Sequence, residues 1–130
     1  MTPLVFVLIA LAGGLGAASR LVLDGVIRTR VSATIPWATV IINISGSFAL
    51  GLLVGLAAGR WIPDASYAII GAGFLGGYTT FSTASFETVR LLQERKWLAG
   101  TLNGVGVLAA TTLVAALGLW IGAWIAGGIV

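Results

Sequence analysis

This chain contains no cysteine and no histidine, and only 8% of its 130 residues are charged. Each absence removes a class of function. Without cysteine there is no disulfide framework and no thiolate chemistry. Without histidine the commonest metal ligand and general base is gone. Soluble domains carry about 25% charged residues, so this chain has too few polar groups to cover a water-facing surface. No Ser/His/Asp or Cys/His set can be assembled, and no pair of carboxylates lies in an apolar stretch ready for acid–base work. Phosphate loops and dinucleotide motifs are also missing. The residues allow binding or conduction, and the chain is not expected to be an enzyme.

What remains is 58% hydrophobic and rich in glycine. A helix needs about 20 mostly apolar residues to cross a bilayer. Four stretches meet that length, at about 4–23, 35–58, 65–92 and 98–125, with the basic run Arg28-Thr29-Arg30 read as a loop after the first. Pro36 and Pro63 fall near helix starts or in loops, where a missing amide is tolerated. Trp37, Trp61, Trp97 and Trp124 lie near the expected ends, as an aromatic belt would. The sequence therefore predicts an all-α, multi-pass membrane protein with one four-helix transmembrane domain over residues 1–130. A cleaved signal peptide is not expected, because the first apolar run is too long and Arg20 follows it. The net charge of +3 sits between apolar stretches. That placement suits anionic lipid headgroups, not nucleic acid.

The third stretch is the most informative. Gly76-Gly77-Tyr78-Thr79-Thr80-Phe81-Ser82-Thr83 places two glycines ahead of a run of hydroxyls inside an apolar, membrane-length segment. This pattern suits a broken helix, and a break frees backbone carbonyls and amides that must find partners in a bilayer. Irregular backbone at that depth usually lines a cavity or ion site. The alternative is a kinked helix whose hydroxyls bond back to the previous turn. In the second stretch Thr39, Asn43, Ser47, Gly51, Gly55 and Gly59 recur every fourth residue as one slowly drifting stripe. Its glycine end suits close helix contact, and Asn43 needs a neighbour or a wet path.

Other residues are open to more than one reading. Gly13, Gly14, Ala17 and Ala18 form a small face in the first stretch, which Arg20 ends by snorkelling or by bonding loop carbonyls. Asn103 and Thr111 share a face in the fourth, while Thr112 can back-bond. Thr79, Ser82 and Phe86 share one face after the break; Thr80, Thr83 and Glu87 share another. Glu87 is the carboxylate within helical reach of the break. It can pair with Arg90 three residues on or sit at the mouth of a polar path.

Three motifs resemble a known family. Gly73-Phe74-Leu75-Gly76-Gly77-Tyr78-Thr79-Thr80-Phe81-Ser82-Thr83 is similar to the signature of the small bacterial fluoride channels, the Fluc or CrcB family. Gly13-Gly14-Leu15-Gly16-Ala17-Ala18-Ser19-Arg20 resembles that family's first-helix motif, and Asn43-Ile44-Ser45-Gly46-Ser47 its second-helix motif. The resemblance implies an antiparallel (inverted) dimer of four-helix subunits in the bacterial inner membrane, with the broken third helices crossing at the centre. It implies a structural sodium ion on the backbone carbonyls of Gly76 and Thr79 from both subunits, in keeping with the taste of hard cations for oxygen. It further implies fluoride pores lined by Phe81, Asn43, Ser82 and Thr83, with Thr39 and Thr111 as further hydroxyls. A phenylalanine ring edge carries positive partial charge and can face a small anion.

One position departs from the pattern. The family usually has a second pore phenylalanine three residues after the first, where this chain has Ala84. The loops after the first and third stretches carry Arg28, Arg30, Arg95 and Lys96, with Arg20 and Arg90 nearby, against Arg60 and the amino terminus on the other side. The positive-inside rule then puts both chain ends outside the cytoplasm. Homodimer and heterodimer with an oppositely oriented paralogue both stay open. The leading expectation is passive fluoride export. The competing ones are a pore-deficient subunit of a heterodimeric channel and a small multidrug-type proton-coupled exporter. The last would need a buried first-helix carboxylate, and none precedes Asp24.

Overall fold

The computed structural model describes residues 2–127, and among these every regular element is helical. The amino terminus, counted with Arg60 above, lies outside them. Helix α1 spans Pro3–Arg30 and α2 spans Trp37–Ala58. Helix α3 covers residues 64–78, built from Asp64–Tyr67, a π-helical stretch Ala68–Leu75 and Gly76–Tyr78. After a two-residue gap, α4 spans Phe81–Gln93. Helix α5 spans Trp97–Ile125 with a π-helical turn at Leu102–Gly106. Three helices, α1, α2 and α5, are long and apolar enough to cross a membrane. The expected third crossing is split into α3 and α4, each shorter than a span.

Helix α1 starts on an N-cap, with the Thr2 hydroxyl accepting from the Val5 amide at 3.4 Å and Pro3 at the first helical position. It does not stop near Leu23. Arg28 bonds Asp24 one turn back at 2.8 Å, and Arg28 and Arg30 occupy the last turn, where cations complement the carbonyl end. The expected basic loop is therefore helical, and the connection to α2 begins at Val31.

Two backbone seams hold the bundle. A methyl group at Gly51 or Gly55 of α2 would run into the Ala115 or Leu119 carbonyl of α5, and one at Gly118 or Gly122 of α5 would meet the Phe48 or Leu52 carbonyl of α2. The two small-xxx-small faces are reciprocal, so the helix backbones touch directly. Likewise Gly16 of α1 faces the Phe74 carbonyl, and Gly77 of α3 faces the Gly13 carbonyl. The glycine end of the α2 stripe is thus helix contact. Large side chains such as Leu21, Val22, Leu113 and Trp124 point outward, as they would toward lipid tails and interface.

Helices α2 and α4 end in the same way. The Trp61 amide bonds the Leu56 carbonyl and the Arg60 amide the Ala57 carbonyl; the Lys96 amide bonds Leu91 and the Arg95 amide Leu92. These are Schellman turns whose left-handed position is normally glycine. Here arginine fills it, with φ of 62° at Arg60 and 57° at Arg95.

Candidate functional site

The break is two residues wide. Thr79 (ψ 161°) and Thr80 (φ −149°, ψ 120°) are extended, so α3 ends at Tyr78 and α4 begins at Phe81. In a continuous helix the Thr80 amide would close on the Gly76 carbonyl. It donates instead to Oδ1 of Asn43 at 2.8 Å, while the Thr80 carbonyl accepts from Nδ2 of Asn43 at 2.9 Å. The side-chain amide of Asn43 acts as a surrogate peptide group that satisfies both backbone groups of Thr80. Asn43 is only 8% exposed, so this pairing removes a cost that buried, unpaired backbone would carry. One hydrogen of its amide remains unused by the pair.

The two helix ends at the break differ in polarity. The Thr80 hydroxyl caps α4: it accepts from the Thr83 amide at 3.2 Å, donates to the Thr83 hydroxyl at 3.0 Å and lies 3.4 Å from the Ser82 hydroxyl. Thr79 bonds back, its hydroxyl and its amide both donating to the Leu75 carbonyl at 3.0 Å. The carbonyls of Gly76 and Thr79 therefore lose their regular donors, which go to Asn43 and to the Thr80 hydroxyl. One face of the break offers carbonyl oxygens, and the other offers amides and hydroxyls.

Beside the break, between α2, α4 and α5, lies a cleft of about 460 Å³. Asn43 and Ser47 line it from α2, Thr79 and Thr80 from the break, Phe81, Ala84, Ser85 and Thr88 from α4, and Asn103 and Thr111 from α5. Phe81 is 84% exposed at its edge. The Thr111 hydroxyl bonds the Val107 and Leu108 carbonyls at 2.9 and 3.0 Å, and Thr112 back-bonds Leu108 at 2.8 Å. Asn103, 2% exposed, donates from Nδ2 to the Thr88 hydroxyl at 2.9 Å and to the Ala84 carbonyl at 3.3 Å.

The structure gathers Asn43, Phe81 and Thr111 around this cleft, with Ser82 and Thr83 one hydrogen bond behind Thr80. It does not bring Thr39 there. That side chain is 2% exposed, lies outside the cleft lining, and its hydroxyl is buried without a partner. Arg20 is part-buried, and its Nε also lacks a partner. Glu87 does not pair with Arg90. It bonds Arg28 of α1 at 2.8 Å, while Arg90 bonds Glu94 at 2.9 Å. The i,i+3 spacing loses because Arg28, itself oriented by Asp24, reaches the same carboxylate. Ser85 and Thr88 escaped the sequence reading. Their signal was present in the one-turn spacing of Phe81, Ala84, Ser85 and Thr88.

A family model described as "CrcB-like protein, Camphor Resistance (CrcB)" matches residues 7–122. The chain belongs to the CrcB family. It is 55% identical over 122 residues to "Fluoride-specific ion channel FluC 1" of Leifsonia xyli subsp. xyli, covering 94% of this chain and 89% of that relative. It is 42% identical over 115 residues to "Fluoride-specific ion channel FluC 2" of Cutibacterium acnes, covering 88% and 94%. It is 38% identical over 115 residues to "Fluoride-specific ion channel FluC" of Magnetococcus marinus, with the same coverages. These CrcB relatives carry the names of ion channels, not of enzymes. With its apolar helices, this member of the family is a membrane protein.

Proposed function

We propose that this chain is a subunit of a passive fluoride channel that lets the ion leave a bacterial cell across the plasma membrane and so relieves fluoride toxicity. The observation that carries this reading is Asn43 held against the broken helix beside the cleft between α2, α4 and α5, in a chain whose relatives are named for fluoride. Fluoride is strongly hydrated, so a narrow route must replace water with donors. The second Asn43 amide hydrogen, the hydroxyls at Thr80, Ser82, Thr83 and Thr111, and the edge of the Phe81 ring are of the right kind. The Thr80 and Thr111 hydroxyls donate to neighbours within the chain, and turning either to an anion gives up those bonds.

The assembly belongs to the same proposal. Reading α3 and α4 as one interrupted crossing gives four passes. An antiparallel dimer would cover the exposed Phe81 and bring the broken helices together. The carbonyls of Gly76 and Thr79, freed from their regular donors, suit a hard cation. Among the described residues no acidic cluster offers an alternative set, so a structural sodium ion would rest on backbone oxygens from two subunits.

Ala84 favours a second reading of the assembly. It lines the cleft at the position where the family usually has a second phenylalanine, and the basic loops bias the chain to one orientation. A heterodimer with an oppositely oriented paralogue would supply the missing ring. Proton-coupled drug export has little support, since Asp24, the first acid after the start of α1, is tied to Arg28 at 2.8 Å. The test is fluoride efflux from liposomes holding the purified chain, alone and co-expressed with a paralogue, with chloride as control. Fluoride efflux without chloride leak is expected; no efflux in either case overturns the proposal.

A further inference from the structure

Helix α4 carries Phe81, Ser82 and Thr83, and its placement sets where those groups stand. It is tied by side chains at three levels, each from a different helix. Asn43 of α2 holds its cap, and Asn103 of α5 holds its middle at Ala84 and Thr88. The third tie is ionic. Arg28 Nη2 bonds Oε1 of Glu87 at 2.8 Å, across 59 residues of sequence, while its Nε bonds Asp24 at 2.8 Å. The Glu87 side chain is 13% exposed and its Oε2 is buried with no partner. Glu87 lies one helical turn past Thr83, about 6 Å along the axis, and its neighbour Thr88 lines the cleft. The other charged group on that stretch of α4, Arg90, is engaged by Glu94. Arg28 is therefore the cation that stands against Glu87.

We propose that Arg28 is a positioning residue for conduction: oriented by Asp24, it offsets the Glu87 carboxylate and so keeps an uncompensated negative charge away from the anion's route. This rests on the fluoride-channel reading. A bare carboxylate about 10 Å from a passing anion, at an effective dielectric of about 20, slows entry by roughly tenfold or more. A purely mechanical clamp would give a different pattern, because removing both partners would not restore the rate.

The experiment compares fluoride efflux from liposomes holding the wild-type dimer, homodimeric or paired, with R28Q, R28K and R28Q/E87Q. The expected result is efflux slowed about tenfold in R28Q, near wild-type efflux in R28K, and recovery to within about threefold of wild type in R28Q/E87Q. Efflux from R28Q equal to wild type overturns the inference, as does R28Q/E87Q remaining as slow as R28Q. If R28Q does not purify as a folded assembly, the R28E/E87R exchange, which keeps the pair neutral, decides: efflux within about threefold of wild type supports the inference, and its loss overturns it. A silent wild type alongside any paralogue defeats the channel reading itself, and so separates the two failures.

Discussion

At the scale of single residues, the Asn43–Thr80 pair carries the clearest consequence. Asn43→Ala leaves the amide and the carbonyl of Thr80 unpaired in a part-buried setting, at up to about 1–3 kcal/mol for each group. We expect a lower thermal midpoint in detergent and fluoride efflux reduced at least tenfold. Asn43→Asp keeps the acceptor for the Thr80 amide but loses the donor to its carbonyl and places a negative charge on the cleft. Its efflux should fall further than its stability, and the two measurements together separate the roles. The Schellman turns predict the opposite sign. Arg60 and Arg95 sit at φ of 62° and 57°, where a Cβ costs about 1–2 kcal/mol and glycine does not. Arg95→Gly should raise the melting temperature in detergent by a few degrees. Unchanged or lower stability would mean that the arginine side chain contributes more at the membrane surface than the turn loses.

At the scale of helices, the α2–α5 seam predicts a sharp contrast among glycines. Gly118→Leu drives a side chain into the Phe48 carbonyl, whereas Gly14→Ala meets nothing within 4 Å. The first should abolish a monodisperse peak on size exclusion. The second should leave it intact, with a small gain from helix propensity. Much of this level was legible in the sequence. The bounds of α2 and α5 follow from apolar length, and the glycine end of the Thr39–Gly59 stripe is the seam. The break lies at Thr79 and Thr80, within the motif that signalled it. What escaped was non-local or fell between two local rules. Arg28 reads as a loop charge, yet as the i,i+4 partner of Asp24 it helps to prolong α1 by two turns. Glu87 found Arg28 at a sequence distance of 59 residues, which no helical spacing can reveal. The π-helical stretch at Ala68–Leu75 leaves no mark in an evenly apolar run. Thr39 shares a stripe with Asn43, yet its hydroxyl is buried outside the cleft, because a stripe that drifts along a helix meets different neighbours at its two ends.

At the scale of the whole molecule, charge and missing aromatic bulk make the predictions. The turn after α1 follows Arg28 and Arg30, and the turn after α4 holds Arg95 and Lys96. Both should face the cytoplasm. The chain has no native cysteine, so Ser32→Cys gives a single thiol. An impermeant maleimide should label it in intact cells only after permeabilisation; labelling without permeabilisation in half of the molecules would show dual orientation. Ala84 leaves space on the cleft wall. Ala84→Phe should raise fluoride efflux from liposomes holding this chain alone if the absent ring limits a homodimer, and leave it silent if an oppositely oriented partner is essential.

The pairing of Asn43 with Thr80 also sets a timetable. The two groups are 37 residues apart, and a ribosome adding about 5–20 residues per second needs roughly 2–7 seconds to deliver the second after the first. The partner seam on α5 is made later still. During that interval α2 waits with its amide and its glycine face uncovered, in contact with whatever the insertion machinery or the surrounding lipid offers. The glycine face of α2 is covered only when α5 arrives, so removal of α5 should leave a set of inserted helices that the cell's quality control recognises as unfinished.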